Sequence, residues 1–173
     1  MTRKEHLRRV AITCLHCLRN LAYFRAGPDE DILKTKGQYW ISASNNFLDI
    51  FVLEWCKLFG DKRGKHYWGK IITDKQAFFT GMLQKLKIEE AELEFFINEM
   101  RTYRDKFIAH LDLEPTMFIP HNLKLAEKSV EYLYDYILTQ EDEGDFFHDA
   151  PSSALVFFEN HLSYGKTEYE KLK

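Results

Sequence analysis

Glycine and proline are scarce, at 8 and 4 in 173 residues. So few turn formers argue against an all-β protein with many tight turns. Cysteine is scarcer still. Three cysteines are an odd number, which excludes a disulfide framework closed within the chain. No apolar run approaches the roughly 20 residues needed to span a bilayer. The charged start Met-Thr-Arg-Lys-Glu-His has no apolar segment behind it, so no signal peptide is expected and the cytoplasm is the expected location. What the chain does have is apolar and aromatic bulk, 45% and 15% of residues, enough for one globular domain with a real core.

A net charge of −3 hides an imbalance along the chain. Residues 1–87 carry 16 Lys and Arg against 8 Asp and Glu, whereas residues 88–173 carry 8 against 19. The basic excess gathers at Arg3, Lys4, Arg8 and Arg9, and between Lys57 and Lys75. Two readings stay open: a polyanion-binding face, or a solvated surface with attraction between the halves.

Hydrophobic spacing predicts an all-α fold, an up-down bundle of about five helices. The first spans about Lys4–Arg25 and stops at Gly27-Pro28. The second, about Gln38–Phe59, is apolar on more than one side and is expected at the bundle centre. The third is about Asp74–Lys87, with Asp74 as N-cap, and the fourth about Glu89–His110. The fifth is about Asn122–Leu138. Residues 1–140 thus form the bundle, and 141–173 an acidic linker and a short helix near Ser153–Leu162 or a tail packed on it.

Cys14-Leu-His-Cys17 has the spacing of a redox pair or half a metal site. No second pair completes a tetrahedral set, so two small buried residues one turn apart are expected, and Cys56 reads the same way. Trp40 and Trp55 are expected in the core. In the loop Asp61–Lys70, Gly64-Lys65 and Gly69-Lys70 echo phosphate loops, but the full GxxxxGK[ST] pattern is missing. His66, Tyr67 and Trp68 lie there among Lys62, Arg63, Lys65 and Lys70. Aromatics amid base suit single-stranded nucleic acid, while Trp68 reads better as an anchor of the loop on the bundle.

The chemistry-bearing stretch is Arg104-Asp105-(four residues)-His110. An arginine holds phosphate and a histidine moves protons near neutral pH. On a straight helix, six positions separate the pair by about 9 Å along the axis and about 120° around it. Convergence then needs a distorted helix end, or two copies facing across a two-fold axis. The chemistry fits RNA cleavage without metal or cofactor. His110 would act as general acid or base, Arg104 would stabilise phosphoryl charge, and Asp105 would orient either one. The plain alternative is a solvated charge pair and a histidine favoured by the helix C-terminus.

Arg104-Asp105-(four residues)-His110 resembles the motif of the HEPN superfamily. The blocks Leu53–Gly60, Lys65–Trp68 and Tyr103–Asp112 are similar to its abortive-infection U-type branch, over roughly residues 20–138. The resemblance implies a helical bundle, usually a homodimer with the motif helix at the interface. Many members are metal-independent ribonucleases of phage defence or toxin–antitoxin systems, and others only bind nucleotides or partners. It implies Arg104 and His110 as the catalytic pair, Asp105 as polar partner, RNA as substrate and an antitoxin protein as a partner. Lys62, Arg63, Lys65, His66 and Lys70 are the candidate RNA contacts. One departure stands out: Asp112 occupies the position where a toxin subgroup has the tyrosine that its antitoxin modifies.

Overall fold

A computed structural model describes residues 2–109 and 119–171, and every regular element among them is helical. The chain is an all-α bundle of seven α-helices in those residues. No helix among the described residues is long and apolar enough to cross a membrane.

Helix α1 (Arg3–Ala26) begins in a reciprocal capping box. The Thr2 hydroxyl accepts from Glu5 N–H at 3.2 Å, and the Glu5 carboxylate accepts from Thr2 N–H at 2.9 Å. Leu7, Val10, Cys14, Leu18 and Leu21 recur at helical spacing and are fully buried. Pro28 disfavours helical backbone at Gly27, which is extended, and the helix ends there.

Helix α2 (Glu30–Lys36) was not legible from periodicity. It is a single charged excursion whose one buried apolar residue is Leu33. Helix α3 (Gln38–Trp55) buries Leu48, Phe51, Val52 and Trp55. Its first turns do not reach the core: Tyr39 is 73% exposed, and Trp40, expected inside, is half-buried against Tyr169. The central position expected for this helix belongs to α1, which packs on α3, α6 and α7. The reason is visible in the residues. The apolar surplus of α3 includes Tyr39 and Ile50, which stay at the surface, whereas α1 has a continuous stripe of small and branched side chains.

Helix α4 (Lys75–Leu86) has Asp74 as its N-cap, the carboxylate accepting from Ala77 N–H at 2.9 Å. Helix α5 is Glu90–Tyr103, and α6 is Leu123–Gln140, capped by Asn122. Helix α7 runs from Ala154 to Glu170, well past the short helix expected from the sequence. It lies along α1 with Gly165 against Ala26; a Cβ on Gly165 would sit 2.7 Å from the Ala26 methyl. An apolar stripe of Ala154, Phe157, Phe158 and Leu162 docks this helix, and the close approach at Gly165 extends the contact toward its C-terminus.

Trp55 ties three elements together. Its ring stacks on Phe59 at 5.1 Å and meets Phe96 edge-on at 5.3 Å, while Nε1–H donates to Ser129 Oγ at 3.0 Å. Burial of each such large apolar side chain contributes about 1.5–3 kcal/mol. Satisfying the indole N–H removes the cost of burying it.

Candidate functional site

Two helices change pitch side by side. After Trp55, residues Cys56–Gly60 continue α3 as a π-helical turn, and after Tyr103, residues Arg104–Ala109 do the same for α5. Helix α5 packs on the Cys56–Gly60 turn, and α3 packs on the Arg104–Ala109 turn. Such widened turns cost regular hydrogen bonding and recur at functional positions. Arg104 is the first residue of the second one.

Its guanidinium is held from two sides. Nε donates to Asp105 Oδ1 at 2.8 Å and Nη1 donates to Asp61 Oδ1 at 2.7 Å. Only 19% of the side chain is exposed. The hydrogen bond to Asp105 raises the Arg104 pKa, burial opposes this, and Asp61 adds to it, so the cation is permanent. Nη2 makes no hydrogen bond among the described residues. Behind Arg104, the buried Tyr103 donates its hydroxyl to Asp49 at 2.9 Å and pins the turn to α3. Cys56 is adjacent, but burial pushes its thiol up to about 12, so it is no nucleophile at neutral pH. Cys14 and Cys17 are also buried as free thiols, with pKa values raised by burial.

His110 and Asp112 lie outside the described residues. The structure therefore carries Arg104 and Asp105 of the sequence-predicted triad and brings them into direct contact. It adds a residue that sequence reasoning missed: Asp61. That residue lies 43 positions upstream of Arg104, so no local spacing could have paired the two.

Asp61 opens the basic loop. Gly64 N–H closes a turn onto the Asp61 carbonyl at 2.7 Å, and the His6 ring bonds the Lys65 carbonyl, fastening the loop to α1. Lys62, Arg63, Lys65 and Lys70 are exposed and make no ion pair among the described residues. A surface cavity of about 650 Å³ lies between Asp61, Lys62, Arg63, Gly64 and Arg101. His66 is half-buried, and burial, then the charges of Lys57 and His6, lower its pKa. At neutral pH it is a neutral hydrogen-bonding ring, unlike its cationic neighbours. Trp68 packs on Phe78 at 4.8 Å and Phe79 at 6.0 Å, the anchor its setting suggested.

The other basic cluster is occupied at Arg3, Lys4 and Arg8. Arg3 bonds Glu141 and donates to Ile71 O at 3.1 Å; Arg8 holds Asp149 through two bonds of 2.8 Å. Lys4 sits over the Phe146 ring at 5.0 Å. The acidic linker therefore neutralises the start of α1, not the loop. Attraction between the two halves of the chain accounts for Arg3 and Arg8, and leaves exposed Arg9 and the loop cations without an ion pair among the described residues.

No family model, curated protein or solved structure matches this chain.

Proposed function

We propose that this protein is a HEPN-type, metal-independent endoribonuclease that acts as a homodimer, with phage defence or toxin action as its setting. The reading is carried by one observation. A permanent guanidinium, fixed by Asp61 and Asp105, opens a widened helical turn and is tied through Asp61 to the start of a loop whose four cations make no ion pair among the described residues. Arg104 would turn its Nη2 toward a phosphoryl oxygen and stabilise the charge that develops there. His110, on the chain that continues from this turn, would take the proton from a ribose 2′-hydroxyl or give one to the leaving 5′-oxygen. The oxygen–phosphorus bond to the 5′-oxygen breaks as the 2′-oxygen bonds to phosphorus. Products are a 2′,3′-cyclic phosphate and a 5′-hydroxyl. Lys62, Arg63, Lys65 and Lys70 would hold flanking phosphates.

The test is cleavage of RNA by the purified chain in EDTA. Cyclic phosphate ends, loss of cutting with a 2′-deoxy substitution at the scissile nucleotide, and inactivity of His110→Ala and Arg104→Ala are expected. An intact chain that cuts no RNA, whether free or taken from stressed cells, overturns the reading.

A second reading has its own support. Two of the donor groups of Arg104 are already taken by carboxylates, as in a structural ion cluster. In that case the bundle only binds RNA or a partner. Binding would then survive His110→Ala with no cleavage in either form.

A further inference from the structure

A second cavity lies beside the basic loop, and neither Arg104 nor Asp105 lines it. It encloses about 280 Å³ between the basic loop, α4 and α5. Its aromatic walls are Tyr67, Trp68 and Phe79, closed by Leu93 and Ile97 of α5. Lys62 lines this cavity and also the one beside Asp61.

Charges of both signs stand at its rim. Lys62 and Lys75 are exposed on one side, Glu90 and Glu94 on α5. None of the four makes an ion pair among the described residues, although all line the same small space. A purely apolar occupant would leave these groups without a role, and a purely anionic one would face two carboxylates. An aromatic ring that carries an amino edge and is joined to phosphate satisfies every group present. The walls stack on the ring, the carboxylates accept from the amine, and the lysines meet the phosphates.

The backbone is shaped for this. A Cβ on Gly69 would sit 2.6 Å from Tyr67 Cε1, so glycine lets the Tyr67 ring lie across the chain. The Gly69-Lys70 step that echoed a phosphate loop in the sequence instead seats an aromatic wall.

The geometry points to this cavity as a subsite for one unstacked nucleobase bearing an exocyclic amine (adenine, cytosine or guanine, but not uracil) in the RNA whose phosphate Arg104 would hold. The inference rests on the ribonuclease reading of that site, whose substrate it narrows. Glu94 and Glu90 would select the amine, and Tyr67 and Phe79 would stack on the ring.

The test is binding of the full chain to short 2′-O-methyl oligoadenylate, oligocytidylate and oligouridylate, which cannot be cut by 2′-hydroxyl attack. Oligoadenylate and oligocytidylate should bind about tenfold tighter than oligouridylate, because uracil has no exocyclic amine. Glu94→Gln, an exposed change that spares the fold, should erase most of that preference. Tyr67→Ala should weaken all three, and oligoadenylate most, since stacking on one aromatic typically contributes about tenfold or more. Equal, salt-sensitive binding of all three, unchanged in both variants, overturns the base subsite but leaves the nuclease reading standing. Binding of none of them, together with no cleavage of natural RNA, overturns both.

Discussion

Arg104 donates from Nη1 to Asp61 Oδ1 at 2.7 Å, and this bond joins the widened end of α5 to the first residue of the basic loop. The pair fixes where the cation points and ties it to the start of the basic loop. It also places a negative charge beside the proposed phosphate position. Asp61→Ala removes both effects, and they act in opposite directions. RNA affinity should rise, because a repelling carboxylate is gone. Single-turnover cleavage should fall about tenfold, equivalent to about 1.4 kcal/mol, because the guanidinium is no longer held. Rate and affinity both unchanged would mean that Asp61 does not position Arg104.

The linker contact gives a pH-dependent stability. The Arg8 hydrogen bonds hold the Asp149 carboxyl down to about 2 from an ordinary value of 3.8. A depressed carboxylate pKa contributes stability above the unfolded value, and that contribution is lost as pH falls through the folded value. Wild type should therefore exceed Arg8→Ala in stability at pH 5 and above, and the two should converge on approach to about pH 2. Chemical denaturation followed by far-ultraviolet circular dichroism across this range measures it. Equal stability at neutral pH would show that the ion pair adds nothing in water.

Buried acid on α6 behaves in the opposite sense. Burial raises the Glu131 pKa, against the hydrogen bond from Lys128 at 2.6 Å, and Oε1 has no partner among the described residues. Its neighbour Glu127 is also desolvated, yet Lys124 and Arg25 bring that carboxyl below its ordinary value. For Glu131 the folded state prefers the protonated form, so its contribution is full below 4.5 and is lost as pH rises through the folded pKa. Glu131→Gln keeps the shape and removes the charge. It should raise stability at neutral pH by about 1 kcal/mol and change little near pH 4. Melting curves at the two pH values decide it; a drop at neutral pH would show that the ion pair with Lys128 outweighs the burial cost.

Gly165→Ala probes how α7 is attached. The new methyl would lie 2.7 Å from Ala26 Cβ and 3.2 Å from the Tyr23 ring, which forces α7 away from α1. Overpacking of this kind costs about 1–3 kcal/mol, against a helix-propensity gain of about 1 kcal/mol for alanine over glycine. A net loss of stability is expected, with protease cleavage appearing between residues 141 and 153. A stabilised variant would mean that the helices part at little cost.

Helix existence was legible in the residues, and the reasons are local. Leu7, Val10, Cys14, Leu18 and Leu21 recur at helical spacing, and Asp74 and Asn122 are caps that mark starts. What was not legible was set by tertiary contact. Helix α2 buries only Leu33, so it has no stripe to read. Past Leu162, α7 meets α1 where Gly165 packs on Ala26, a contact that carries no hydrophobic signal. Trp40 looked like core because it sits in an apolar helix, but it stands on the exposed first turns of α3 beside Tyr169. Arg104 and Asp105 were legible as neighbours, whereas Asp61 needed the chain to fold back. Which basic residues stay uncompensated was invisible as well, since the linker carboxylates Glu141 and Asp149 choose Arg3 and Arg8.

The division between the two basic clusters sets how RNA binding should respond to salt. Arg3 and Arg8 are engaged by the linker, while Lys62, Arg63 and Lys65 pair with no carboxylate among the described residues. Counterions released on RNA binding should come from phosphates neutralised by the second set. Reversing Lys62, Arg63 and Lys65 to glutamate should cut RNA affinity by about a hundredfold or more at low salt. It should also flatten the dependence of log affinity on log salt by about one unit for each phosphate no longer neutralised. The fold should hold, because these side chains are exposed. Reversing Arg3 and Arg8 should do the converse: the salt slope stays, while thermal stability falls as buried Glu141, only 2% exposed, loses a partner. Fluorescence anisotropy at several salt concentrations and a melting curve for each variant separate the two outcomes. If the Arg3 and Arg8 reversals flatten the slope instead, the RNA path runs over the start of α1 and not along the loop.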